Sequence, residues 1–214
     1  MNGLPIILTD LTLKGRLPWL CLLCLLSSCG TLIQPRLESG FENLRLGSYQ
    51  VDPAHTVVLF KVDHFGLSRF VGRFNDVDAT LEFDPDTPQD ARLDARVRTA
   101  SIDVNNAEFE AELTGPDWLN AEAFPEARFM TSRIELVSET EALFHGELTL
   151  RGTAAPVVFR AVYNGGGRSL VTGRYTIGFQ ASATFNRSDY GIDDYIPAIG
   201  DEVELEIHAE FQRN

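Results

Sequence analysis

From Ser48 onward, apolar and polar positions alternate with a period of two, the mark of half-buried strands. Between His55 and His64, the residues Val58, Phe60 and Val62 share a parity with His64, while Val57, Leu59 and Lys61 take the other. Arg69 to Phe83 carries Val71, Val77, Leu81 and Phe83, and a turn cluster from Pro85 to Pro88 follows it. The same pattern predicts strands over Ala91 to Ile102, Arg128 to Val137, Leu143 to Arg151, Pro156 to Tyr163, Ser169 to Phe185 and Glu202 to Phe211. Gly165-Gly166-Gly167 is expected to be a turn between two of them. About eight strands with short connections, and no βαβ repeat, predict an all-β fold, either a sandwich or an antiparallel barrel.

One stretch breaks the period. Asn106 is placed to cap a helix in which Phe109 and Leu113 fall four apart on one face, and Gly115-Pro116 ends it. After it, Asp117-Trp118-Leu119-Asn120 to Phe124-Pro125 concentrates large apolar groups in a short irregular segment. A single helical excursion between strands is suited to cover the mouth of a barrel.

The amino-terminal pattern differs again. Lys14 and Arg16 precede an apolar run from Leu17 to Leu26, the order of a secretion signal. The run is too short to span a membrane, which needs roughly 20 apolar residues. It ends in Leu26-Ser27-Ser28-Cys29, which resembles the lipobox of bacterial lipoproteins. That resemblance implies cleavage before Cys29, acylation of Cys29 and attachment to a membrane through it, in the cell envelope and facing the periplasm. Gly30, where inner-membrane retention would call for Asp, resembles an outer-membrane address. Residues 30 to 47 carry Pro35, Gly40 and Gly47 without a sustained period, so the expected organisation is a signal over 1–28, an anchor and tether over 29–47, and a folded domain over 48–214.

Charge and cysteine usage narrow the functions. The formal net charge is −13; Lys14, Arg16 and Asp10 give residues 1 to 28 a net +1, so the remainder stands at −14. Such a chain repels phosphate backbones and anionic headgroups, which argues against nucleic-acid binding. Cys21 and Cys24 lie in the segment expected to be removed and Cys29 would carry lipid, so packing rather than disulfides must stabilise the domain.

Candidate chemistry is sparse. His55 and His64 lie nine apart, an odd separation that puts them on opposite faces of one strand, and no histidine pair has metal-ligand spacing. Asp84, Asp86 and Asp90 are interrupted by Pro85 and Pro88 and lack the glycine and closing glutamate of a calcium loop. Ser101, Ser182 and Ser188 have no nucleophile-elbow context. No enzyme signature and no metal site is expected. Ten phenylalanine and tryptophan positions spread over the strands are ordinary core or cavity wall, and an eight-stranded interior can be either filled or hollow.

Taken in order, several segments resemble the YceI-like family of bacterial periplasmic proteins. These are Tyr49-Gln50-Val51-Asp52-Pro53-Ala54-His55-Thr56, then Phe60-Lys61-Val62-Asp63-His64-Phe65-Gly66, Gly72-Arg73-Phe74 and Ser101-Ile102-Asp103. Phe124-Pro125, Gly146-Glu147-Leu148-Thr149-Leu150-Arg151-Gly152 and Arg187-Ser188-Asp189-Tyr190-Gly191-Ile192 continue it, so the resemblance spans residues 49 to about 212. It implies a lipocalin-like antiparallel barrel that binds a polyisoprenoid or isoprenoid quinone without catalysis, for storage, shielding or transfer. On that basis Val58, Phe60, Val62, Phe74, Phe83, Trp118, Phe129 and Phe179 are wall candidates, and His64 and Arg187 are candidates for polar contacts near one end. Glu110 and Glu112 stand where the family usually has Asp and His, so its headgroup preference does not carry over. The competing readings are a structural or stress-related envelope protein with a filled barrel and a protein partner, and, behind it, an enzyme with His64 as general base.

Overall fold

The structure is a computed structural model that describes residues 37–214; Cys29, the apolar run before it and the first part of the expected tether lie outside the described residues. β1 (Gly47–Val51) is continued by β2 (Val57–His64) after a turn at Pro53–His55. β3 (Ser68–Phe74) and β4 (Val77–Phe83) are two halves of one bent strand, as are β5 (Arg92–Arg98) and β6 (Ile102–Asp103). Helix α1 (Ala107–Leu113) follows, and then β7 (Glu126–Leu136), β8 (Glu141–Leu150), β9 (Thr153–Arg168), β10 (Tyr175–Asn186) and β11 (Ile199–Arg213).

All pairings are antiparallel. β11 closes the ring by pairing with both halves of the first bent strand, Phe211 opposite Val51 in β1 and His208 opposite Val57 in β2. Joining the bent pairs leaves eight strand positions around a closed barrel. Closure removes the exposed sheet edges on which such strands would otherwise aggregate. Every one of these pairings lies within residues 37–214, so this segment carries its own hydrogen-bonded ring and its own core.

The parity read from the sequence holds in β2: Val58, Phe60 and Val62 face inward, while Lys61 lies outside with its ammonium 3.0 Å from Glu204 and 2.6 Å from Glu206. α1 forms where expected, with the Asn106 side chain accepting from the Phe109 amide at 3.2 Å. Glu110 reaches back to the amides of Val104 and Asn106, which spends its carboxylate on the helix start.

Two expectations are corrected. The tether does not extend to Gly47: Glu38 exchanges backbone hydrogen bonds with Gly166 at 2.7 and 2.9 Å, and Phe41 and Leu44 are buried in the core. That segment is too short and irregular for any periodicity to register. The glycine run is also not a turn, because Gly165–Gly167 lies inside β9 and the chain reverses later, between Ser169 and Arg174. Gly165 has a φ of +125°, and a Cβ on Gly166 would stand 2.6 Å from the Tyr163 hydroxyl and 2.8 Å from Ile177. The glycines therefore let the amino-terminal segment and a tyrosine cluster approach the strand backbone closely.

The barrel has two unlike ends. At the end where the described chain begins, Phe41, Leu44, Tyr49, Tyr163, Tyr175 and Ile177 fill the interior, with Phe41 stacked on Tyr163 at 5.7 Å. At the other end α1, the irregular segment after it, the β2–β3 turn and the loop from Arg187 to Ala198 surround an opening. Leu44→Ala is expected to cost about 2–5 kcal/mol in urea unfolding. A residue in a solvated tether would leave the midpoint unchanged.

Candidate functional site

Above the filled end the barrel is hollow, with an internal cavity of about 530 Å³. Its wall comes from alternate residues of the ring: Val58, Phe60 and Val62 from β2, Ala95 and Val97 from β5, Phe129 from β7, Phe179 and Ala181 from β10, and Leu205 and Ile207 from β11. Because side chains alternate across a strand, one parity of each strand lines a continuous apolar surface. The ionisable groups on the wall, His64, Glu112, Arg187 and Tyr195, lie toward the open end.

Of the residues expected from the sequence, Val58, Phe60, Val62, His64, Phe74, Trp118, Phe129, Phe179 and Arg187 are brought together on this wall. Phe83 is not. It has the inward parity of Ala79 and Leu81, but it sits at the far end of β4, packed with Phe41, Leu44, Pro88 and Ala91 in the filled half. Parity settles which face a residue takes, and only depth along the barrel separates plug from wall.

Sequence reasoning missed several wall residues. Phe70 shares parity with Phe74, and Leu205 and Ile207 alternate along β11, so the period of two could have found them. Tyr195 lies in a loop, where no pattern marks it, yet it stacks on Trp118 with ring centres 6.2 Å apart.

Arg187 has a different role from the one expected. It is buried, and its guanidinium donates to four backbone carbonyls: Gly200 at 2.8 Å, Ile192 at 2.9 Å, Asp194 at 2.8 Å and Ile199 at 3.0 Å. It lies 5.6 Å from the centre of the Trp118 ring. Burial lowers its pKa, while the nearby Asp201, Asp193 and Asp194 carboxylates oppose that shift. The planar fork of Arg suits this task, and it fixes the loop that forms one side of the mouth. Arg151 ties the same loop to the segment after α1, donating to the carbonyls of Gly191 and Pro116. His64 keeps its ring edge-on to Phe65 at 4.7 Å, at the rim.

Outside the barrel, ligand atoms of Asp52, His55 and Glu210 lie within 4.8 Å of one another. Asp52 accepts from His55 Nδ1 at 2.9 Å, from the Ala54 amide at 3.1 Å and from Gln212 at 2.6 Å. The carboxylate thus caps the turn between β1 and β2.

A closed barrel with an apolar interior, plugged at one end and open at the other, defines the ligand-enclosing class of β-barrels. Residues 49–211 match the YceI-like domain, and the chain belongs to that family. It is 33% identical to a UPF0312 protein of Shewanella sp. strain ANA-3 over 183 residues, which covers 85% of this chain and 92% of that one. Its fold is similar to that of BcnA from Burkholderia cenocepacia, with a TM-score of 0.67 at 23% identity over 75% of this chain and 98% of that one. A polyisoprenoid binding domain from Saccharophagus degradans, implicated in plant cell wall breakdown, has a TM-score of 0.61 at 11% identity. It covers 79% of this chain and 100% of that one. At these two identities the likeness is one of fold.

Arg187→Lys is expected to lower unfolding free energy by about 2–3 kcal/mol, because one ammonium cannot reach all four carbonyls and leaves buried acceptors unpaired. Alkaline pH is expected to destabilise the barrel. Burial pushes Tyr49 and Tyr190 up from 10.0 to about 12. Both hydroxyls therefore favour the neutral form in the fold, and the stability this gives is present below pH 10 and lost as pH rises from 10 through 12. Urea midpoints measured across that window should fall, and Tyr190→Phe should flatten the fall. At neutral pH that variant should lose no stability, since the Tyr190 hydroxyl is buried without a partner among the described residues.

Proposed function

We propose that this protein binds, without catalysis, one long apolar lipid of the isoprenoid or isoprenoid-quinone class inside the barrel. The observation that carries the reading is the hollow apolar cavity of about 530 Å³, within the usual range of small-molecule sites. Left empty, it would forgo packing worth on the order of 10 kcal/mol at about 24 cal/mol per Å³. That is comparable with the whole stability of a domain of this size. A tail without hydrogen-bonding groups restores those contacts and leaves no polar atom unpaired. Membership of the YceI-like family, and the similar fold of a polyisoprenoid binding domain, support the same class of ligand.

The binding reading needs no reactive group. His64 touches the cavity at its rim, where it is suited to meet a headgroup. Acylation of Cys29 would hold the barrel in the cell envelope, facing the periplasm, as the lipobox resemblance implies. The cavity weighs against the alternative of a filled, purely structural barrel.

Native mass spectrometry with organic extraction of residues 37–214 from a bacterial host is expected to find one isoprenoid per chain. An empty protein that also refuses added polyprenyl lipid would sink the reading. Ala95→Trp with Ala181→Trp should abolish uptake while the far-ultraviolet dichroism stays that of a β-barrel. Extraction of the bound lipid should lower the melting temperature of the parent protein, as loss of any native-state ligand does.

A further inference from the structure

The cavity opens onto a rim of exposed apolar side chains carried by two loops. Phe65 and Leu67 stand on the β2–β3 turn with 60% and 85% of their surface exposed, and Tyr195 and Ile196 stand on the facing loop at 65% and 37%. The loops are tied together, because the Phe65 amide donates to the Ala198 carbonyl at 2.8 Å. Phe65 and Tyr195 belong to both the rim and the cavity wall, so the apolar surface is continuous from outside to inside.

The backbone shows that these aromatics are held there against local preference. Phe65 and Gly66 have φ of +57° and +67°, and the Leu67 amide donates to the His64 carbonyl at 3.0 Å. Those are the signs of a primed hairpin turn, whose first central position favours Asn, Asp or Gly. Tyr195 likewise has a φ of +62°. Bulky residues seldom take that conformation, and such outliers cluster where function requires them.

Charge selects among the surfaces that could cover such a rim. Glu108, Glu112 and Asp117 on one side and Asp193 and Asp194 on the other are all exposed, against the exposed Arg69 on the β2–β3 hairpin and the half-buried Arg151 that ties the two sides together. Two such rims facing each other would repel, as would an anionic bilayer. A neutral bilayer would accept the aromatic and aliphatic groups at its interface without that cost.

We propose that Phe65, Leu67, Tyr195 and Ile196 form a docking surface for a neutral, zwitterionic bilayer, through which an apolar lipid passes between membrane and cavity without crossing water. The proposal rests on the apolar-ligand reading for its purpose, though docking can be measured without ligand. Leu37, where the described residues begin, lies at the plugged end beside Gly165, away from the rim.

The test is flotation of residues 37–214 with phosphatidylcholine vesicles, repeated with phosphatidylglycerol mixed in. The parent protein is expected to float with the neutral vesicles and less with the anionic ones. Leu67→Asp with Ile196→Asp, at positions that do not line the cavity, should reduce flotation by about tenfold or more. Loss of affinity with geranylgeraniol still retained in the cavity would support docking, whereas failure of every variant to hold geranylgeraniol would count against the ligand reading alone. Phe65→Asn, which creates an Asn-Gly turn, should raise the melting temperature while weakening flotation. A parent protein that stays unfloated, a double variant that floats equally well, or a dimer that the double variant splits would overturn the proposal.

Discussion

The constraint on which the rest depends is the bore of an eight-stranded barrel. A ring of this size has room for packed side chains or for one small ligand, and the chain divides the length of the bore between them. Near Leu37 the interior is closed by Phe41, Leu44 and the tyrosines 49, 163 and 175; above it the wall alternates aromatic groups with small ones such as Ala79, Ala95, Ala161 and Ala181, and a cavity remains. The plug makes the cavity tolerable. Tightly packed aromatics in one half supply core burial, while the hollow half gives up dispersion contacts that a bound tail can restore.

The mouth is stabilised by a different kind of interaction. Its loops have little regular structure of their own, and arginine side chains bonded to backbone carbonyls take the place of strand pairing. Arg187 gathers two carbonyls of the loop between β10 and β11 and two at the start of β11, and Arg151 links that loop to the segment after α1. Thr99, fully buried at the bend between β5 and β6, binds the Phe124 carbonyl through its hydroxyl at 2.8 Å and the Pro125 carbonyl through its amide at 2.9 Å. These ties hold Trp118 against Tyr195 and keep α1 beside Phe70, where Phe109 meets it edge-on at 5.6 Å. A rigid opening with few charges on its inner face suits a ligand that offers no directional bonds.

Much of this was legible in the chain. The alternation in β2 settled that Val58, Phe60, Val62 and His64 share a face, because a strand has only two faces and one must be buried. The Asn106 cap and the spacing of Phe109 and Leu113 likewise settled α1, since both signals act within a few residues. The ordered segments from Tyr49 to Ile192 pointed to the YceI-like family, to which the chain belongs.

Tertiary structure alone decided the rest. Phe83 and Phe129 carry the same local signal, yet one joins the plug and the other the cavity, because depth in a barrel depends on where all eight strands stagger. Gly165–Gly167 reads as a turn until Glu38 and the tyrosines are seen to need the space a Cβ would take. Arg187 reads as a polar contact for a ligand until its fork is found among carbonyls up to thirteen residues away in sequence. Local pattern fixes what each residue presents and to which face; only closure of the ring determines what it meets there.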